Sequence, residues 1–304
     1  MQSRPPDADA ISNGALRLPS EYFTEGFQSI DQLTRLLADQ GVRTISISII
    51  TGRSGTTLLS HICKSYGFGI GEEPFNERPE ADYVQAPGEF SLFVSQLLHA
   101  NVIDGNFYFH ITPARFRAFS TLLPIHYWRE LGAAVSLVFR RNVFAQAISF
   151  CNAVSTGVWH ANQPAVEGSG RSFDGLWALE WVRTILNDEV EARRMASQIR
   201  DGAVPILYYE DLIAATFESV VAFLTAHRVD VEPMRVQQAI QTSRATASKV
   251  ERLGYDGQYQ ELRRVFPYLD GWLMERIRSG SSDALCRNLI DALQPVLGAP
   301  QEAS

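Results

Sequence analysis

Residues 44–66 read TISISII, TGRSG, TTLLSHICKSY: an alternating strand, a glycine-containing turn and an apolar-striped helix in direct succession. That unit limits what the chain can become. A strand ending in consecutive apolar residues is buried near its end, and a strand turning into a helix opens a parallel, helix-covered sheet. The alternation continues downstream. FSLFVSQLLHANV (90–102) has helical character, and GNFYFHIT (105–112) and AAVSLVFRR (133–141) are strands. FAQAISFCNAV (144–154) is a helix, as is the long amphipathic segment 172–199, with Ser172 as its cap. VPILYYEDL (204–212) is a further strand, followed by a helix to about 226, and the chain from about 230 is mostly helical. The expectation is an α/β fold, a central parallel sheet flanked by helices with a helical C-terminal part.

Ahead of this lies FQSIDQLTRLLADQG, whose Ile30, Leu33, Leu36 and Leu37 recur at helical spacing, with Gly41 as the stop. The Pro-, Asp- and Ser-rich residues 1 to about 20 form a loose tail. Residues 1–40 are thus a tail and helix, and 41–300 one domain. The segments 77–89 and 160–171 are polar, contain Pro or Gly, and are expected to be surface loops.

Composition narrows the function. Apolar residues make up 45% and charged residues 20% of the 304, which is ordinary for a globular chain. The net charge of −7 disfavours duplex nucleic acid as a partner. Of the 27 basic residues only Lys64 and Lys249 are lysines, so anion binding here falls to arginine. Cys63, Cys151 and Cys286 show no paired spacing, so neither a disulfide framework nor a zinc site is indicated. With no apolar leader and no run long enough for a membrane span, a cytoplasmic protein without an integral membrane segment is expected.

In open α/β sheets ligands gather at the carboxyl ends of strands. The first such end is Thr51-Gly52-Arg53-Ser54-Gly55-Thr56-Thr57. Its glycines let the backbone wrap an anion, and the helix that follows offers free amides and a partial positive charge. Arg53 adds a guanidinium fork, and Thr56 and Thr57 add hydroxyls. It is a phosphate-binding loop in type, yet not the GxxxxGK[ST] loop of nucleotide triphosphatases, because Thr56 follows Gly55 and Ile50 stands where the first glycine belongs. Cys63 and Ser248 precede the two lysines, so neither restores the motif. A second cluster follows a later strand: Arg140 at its end and Ser149 nine residues on, a guanidinium and a hydroxyl able to fold toward one spot for a second phosphate.

On these two clusters, residues 44 to about 265 resemble the sulfotransferases, most closely the bacterial family that includes trehalose 2-sulfotransferase and is related to the nodulation-factor sulfotransferases. The family's RSG[ST]TLL loop matches Arg53-Ser54-Gly55-Thr56-Thr57-Leu58-Leu59. Its RxxxxxQAxSFxxAxxTxxW segment matches Arg140, Gln146, Ser149, Phe150, Ala153, Thr156 and Trp159. The resemblance implies a P-loop-like sulfotransferase domain over 41–300. It also implies 3′-phosphoadenosine 5′-phosphosulfate (PAPS) as the sulfo donor, and no metal. Arg53, Ser54, Gly55, Thr56 and Thr57 would hold the 5′-phosphosulfate, and Arg140 and Ser149 the 3′-phosphate. Arg244, in a basic C-terminal stretch, is a further candidate for the 3′-phosphate.

Transfer to a hydroxyl needs a base, and a carboxylate near arginines stays ionised. The family carries a glutamate in a Glu-Pro-aromatic context; Glu73 in Glu73-Pro74-Phe75 matches it, and Glu72 is the alternative one residue away. The catalytic pair expected is therefore Glu73 and Arg53. His110, where related sequences carry Lys, and Trp159, beside a polar loop, are candidate substrate contacts. Asp211 of Tyr208-Tyr209-Glu210-Asp211-Leu212 reads as the cap of the next helix. The function expected is sulfuryl transfer to a hydroxyl of a carbohydrate, glycolipid or other small acceptor, with homodimerisation an option. The alternatives are a nucleotide kinase or triphosphatase with an atypical loop, and a non-catalytic PAPS-binding protein.

Overall fold

The computed structural model describes residues 23, 25–69, 75, 89–158, 170–214, 217–247 and 255–298, the side chains of 242–247 excepted. The tail 1–20 and most of the loops 77–89 and 160–171 lie outside these residues. Along the chain run α1 (Ile30–Asp39), β1 (Thr44–Ile50), α2 (Thr56–Tyr66), α3 (Phe90–Asn101), β2 (Val102–Ile103), β3 (Asn106–Ile111), α4 (Pro113–Phe119), α5 (Ile125–Glu130) and β4 (Ala134–Phe139). They are followed by α6 (Val143–Thr156), α7 (Gly175–Ile199), β5 (Ile206–Tyr208), α8 (Tyr209–Ala214), α9 (Phe217–Ala226), α10 (Pro233–Ala247), α11 (Asp256–Val265), α12 (Leu269–Ser279) and α13 (Asp283–Leu297). The sheet order is β2-β3-β1-β4-β5, with β2 antiparallel to β3 and every other neighbouring pair parallel. The expected helix-flanked α/β architecture is what forms.

β1 sits at the centre, paired on both edges, and its alternation sorts the core. Ile45, Ile47 and Ile49 join Phe107, Phe109, Val135 and Leu137 in one cluster that α1 and α3 close with Leu33, Leu37, Phe90 and Leu98. Ile50 faces the other way, against Leu58, Leu59 and Ile62 of α2 and Val220 and Phe223 of α9. A third cluster, around Trp177 and Trp181, Leu262, Phe266 and Leu289, binds α6 and α7 to the C-terminal helices. These helices thereby pack behind the carboxyl end of β4, where the polar turn into α6 lies.

Three local expectations change. The strand expected over 204–212 is only Ile206–Tyr208, and from Tyr209 the chain is helical. β5 is an edge strand with three register partners on β4, and the carboxylates of Glu210 and Asp211 turn back toward Arg141 and Asn142. Asp211 is therefore no N-cap: it lies inside α8 and binds Arg141. The cap of α7 is Asp174 rather than Ser172, its side chain accepting from the Leu176 amide at 3.0 Å. The helices α4 and α5 were not anticipated, although Thr112 followed by Pro113 is a start signal, and Thr112 caps α4.

The second face of β1 buries Ser46 and Ser48; Ser46 Oγ has no hydrogen-bond partner among the described residues, whereas Ser48 Oγ is partnered. Ser48 Oγ lies 2.9 Å from Ser136 Oγ across the sheet and accepts from Tyr108 Oη at 3.0 Å. His227, buried at the end of α9, sets Nε2 2.8 Å from Ser136 Oγ. Burial holds this imidazole neutral, its pKa lowered from 6.5 to about 3. The unfolded chain therefore takes up a proton below about pH 6.5 that the folded chain refuses until about pH 3, so this group's stabilisation is full above 6.5 and is lost as pH falls. His227→Gln should flatten the stability profile between about pH 4 and 6 by one proton's worth, about 1.4 kcal/mol per pH unit. Urea unfolding of both proteins across that range checks it; parallel profiles would show that His227 is not the group responsible.

Candidate functional site

The turn after β1 is shaped by close contacts. Thr51, fully buried, accepts from Gln146 Nε2 at 2.9 Å through its hydroxyl, and the Gly52 carbonyl accepts from the same nitrogen at 2.6 Å. Gly52 lies against the Phe150 ring: a Cβ there would sit 2.5 Å from Phe150 Cζ. That ring is itself stacked on Trp181, with centroids 4.4 Å apart and planes 2° from parallel. Arg53 has φ +62°, a left-handed conformation that a non-glycine residue adopts at a cost and that clusters at functional sites. The Ser54 amide closes the turn on the Thr51 carbonyl at 3.2 Å. Gly55 is the N-cap of α2 at φ +94°. With no side chain there, the first amides of α2 have no capping acceptor from that position, the arrangement that attracts anions.

The turn after β4 reaches the same place. Arg53 Nε donates to Ser149 Oγ at 3.0 Å, joining residues 96 positions apart. Ser149, expected with Arg140 at one phosphate, has its described contact with Arg53. The two turns nonetheless meet at Tyr209, whose ring lies under Arg140 and against Gly55. Burial pushes the pKa of Arg53 down and Arg140 pushes the same way, while Tyr255 and Tyr209 oppose them. Arg140 lays its guanidinium over the Tyr209 ring, 4.3 Å from the centroid. Its Nε is buried with no hydrogen-bond partner among the described residues, and so is the hydroxyl of Ser54.

Arg141, adjacent in sequence, goes elsewhere. It forms a two-pronged pair with Asp211 at 2.7 and 2.9 Å and lies over Tyr208. Hydrogen bonding to Asp211 raises its pKa. Between the two arginines the backbone is held by Glu210, whose carboxylate accepts from the amides of Arg141 at 3.0 Å and Asn142 at 3.1 Å. Asn142 caps α6 through the Ala145 amide and accepts from Tyr259 of α11.

The arrangement is a cationic, hydroxyl-bearing recess at the carboxyl ends of β1 and β4, suited to an anion with more than one charged group. It gathers Arg53, Ser54, Gly55, Thr56, Arg140 and Ser149; Thr57, on the next position of α2, is exposed. His110 is buried in β3, 2% exposed, in register with Ser48 and on the sheet face of Tyr108. Glu72, Glu73 and Trp159 lie outside the described residues, and so does the side chain of Arg244 on α10. Sequence reasoning missed Tyr209 as part of the site and Glu210 as a brace of the backbone behind it, because nothing in local spacing brings α8 to the two turns. Among the described residues no group of three His, Cys, Asp or Glu side chains converges, and no helix is long and apolar enough to cross a membrane.

Gly55→Ala should be the costliest small change in the loop. The added Cβ would lie 2.2 Å from the Tyr209 ring, and φ +94° is strained for any L residue. Strain and overpacking together should lower stability by about 2–4 kcal/mol. Tyr209→Ala in the same chain should restore only the packing part. Denaturant midpoints of the two single variants and the double variant check this; simple additivity would overturn the contact as the cause. No family model, curated protein or solved structure matches this chain.

Proposed function

We propose that this chain is a PAPS-dependent sulfotransferase acting on a hydroxyl of a carbohydrate, glycolipid or other small acceptor. The observation that carries the reading is the hydrogen bond from Arg53 to Ser149 beside Arg140, which makes one cationic recess of the two clusters that bear the sequence resemblance. A donor with a phosphosulfate at one end and a 3′-phosphate at the other needs two anion sites joined by one scaffold. The Ser54 hydroxyl and Arg140 Nε, which have no hydrogen-bond partner among the described residues, are suited to such groups.

PAPS supplies an activated sulfuryl group, which passes to the acceptor oxygen while adenosine 3′,5′-bisphosphate departs. Arg53 and the first amides of α2 neutralise charge on the phosphate end, the kind of preorganised stabilisation that matters most in group transfer. Ser149 accepts from Arg53 Nε, so its own O–H remains a donor for a phosphate oxygen. Arg140, braced on Tyr209, takes the 3′-phosphate. Glu73 removes the acceptor proton as the new O–S bond forms and the bond from sulfur to the phosphate oxygen breaks.

Calorimetry with adenosine 3′,5′-bisphosphate tests the binding half. The wild-type chain should prefer it to adenosine 5′-phosphate. Arg53→Ala should weaken both ligands and Arg140→Ala the bisphosphate alone, each roughly 10- to 100-fold. Equal binding of the two nucleotides, or magnesium-dependent turnover of ATP, would overturn the reading. Catalysis is tested with PAPS and an acceptor panel read by mass spectrometry. Glu73→Gln should cut turnover by about 10²-fold or more while leaving bisphosphate affinity unchanged, and Glu72→Gln should be silent. If Glu72→Gln is the inactive variant, the base is Glu72. Bisphosphate binding without sulfation of any acceptor would make the chain a binding protein.

A further inference from the structure

Arg276 lies on α12, far along the chain from either turn, and is fully buried. A buried guanidinium is costly unless its charge and its donors are matched. Its charge is matched by Glu189 of α7, also fully buried, through Nη2 to Oε1 at 2.7 Å. The other oxygen of Glu189 accepts from Ser281 Oγ and from Cys286 Sγ, the latter at 3.2 Å. Of the other donors, Nη1 points to Cys286 Sγ at 3.7 Å, and two hydrogen bonds go to the backbone. Nε donates to the Arg141 carbonyl at 3.1 Å and Nη2 to the Arg140 carbonyl at 3.0 Å.

Those two carbonyls stand where the chain has left β4, whose last residue is Phe139, and α6 begins only at Val143. The Glu210 carboxylate holds the amides of Arg141 and Asn142. Each of the two peptide groups flanking Arg141 is therefore fixed at both ends, its oxygen by Arg276 and its nitrogen by Glu210. Arg140 and Arg141 are consecutive arginines, and this clamp sets which of them faces the recess: Arg141 is turned to Asp211, and Arg140 is left over Tyr209.

We propose that Arg276, backed by Glu189, is a positioning residue that fixes the carbonyls of Arg140 and Arg141 and so sets the selectivity of the recess for a nucleotide carrying a 3′-phosphate. The inference rests on the functional reading above. Arg276 does not touch the ligand; it acts through Arg140. A purely structural Arg276 would change stability and leave the ratio of the two nucleotide affinities alone, whereas a positioning Arg276 changes the ratio.

The test is calorimetry with adenosine 3′,5′-bisphosphate and adenosine 5′-phosphate, with thermal unfolding run alongside. Arg276→Lys keeps the charge beside Glu189 but replaces the planar fork with a compact ammonium that cannot reproduce its geometry. Arg276→Met combined with Glu189→Met removes both buried charges at similar volume, a replacement that folded proteins tolerate. Glu210→Gln loosens the amide side of the same clamp and carries the test if the core variants do not fold. Each should reduce the preference for the bisphosphate roughly tenfold, through lost bonding to the misplaced Arg140, with affinity for the monophosphate nearly unchanged. In an Arg140→Ala background Arg276→Lys should have no further effect on the ratio. A wild-type preference that survives in folded clamp variants overturns this inference alone. A wild-type chain with no preference for the bisphosphate overturns the functional reading and this inference with it.

Discussion

The carboxamide of Gln146 makes one structure of two turns. Buried in α6, it donates to the hydroxyl of Thr51 and to the carbonyl of Gly52, both on the turn that follows β1. The two strands already run side by side in parallel register, so their carboxyl ends are neighbours by topology. Topology alone brings the turns within several ångströms, not to hydrogen-bond geometry. That last step comes from Gln146 on one side, from Arg53 reaching Ser149 on the other, and from the tip of the Phe150 ring abutting Gly52. All three partners on α6 lie within one helical turn and a half of one another, so the helix presents them as a rigid set.

Arg53 is largely buried and Arg140 adds a like charge, and both effects disfavour the charged form of Arg53. Among the described residues the fold answers with π-faces and hydroxyls, and two nearby carboxylates, Glu210 and Asp211, are engaged on the flank. Tyr209 lies under Arg140, and Asp211 and Glu210 are engaged by Arg141 and its backbone. Directing the acidic groups to the flank leaves a positive potential that a bound anion discharges, and the nearly lysine-free sequence means that planar guanidinium groups do this work.

Much of the fold could be read from the sequence because its signals are local. The alternation in TISISII, the glycines at 52 and 55 and the apolar stripe of α2 each act within a few residues of themselves. The same holds for Arg53, Arg140 and Ser149, which sit at strand ends or just beyond. What could not be read depends on distant partners. Tyr208-Tyr209-Glu210-Asp211 looks like the continuation of a strand until Arg141 and Asn142 draw the two carboxylates aside and the chain coils into α8. Likewise an Arg in the pattern of α12 looks like a surface charge, and only the meeting of α7, α12 and the end of β4 makes Arg276 a buried ligand of carbonyls. Ser172 and Asp174 are both competent caps two residues apart, a choice that composition does not decide.

Tyr209 serves two neighbours at once. One part of its ring occupies the space that a side chain at position 55 would need, and its face carries the Arg140 guanidinium. A larger residue at 55 therefore demands a smaller one at 209, which in turn removes the platform under the arginine. Sequence change at these three positions is constrained to be concerted: drift at any one is blocked until the others move. Sequences descended from a common ancestor with this chain should thus vary at positions 55, 140 and 209 as a correlated set, even though 85 and 69 residues separate them along the chain.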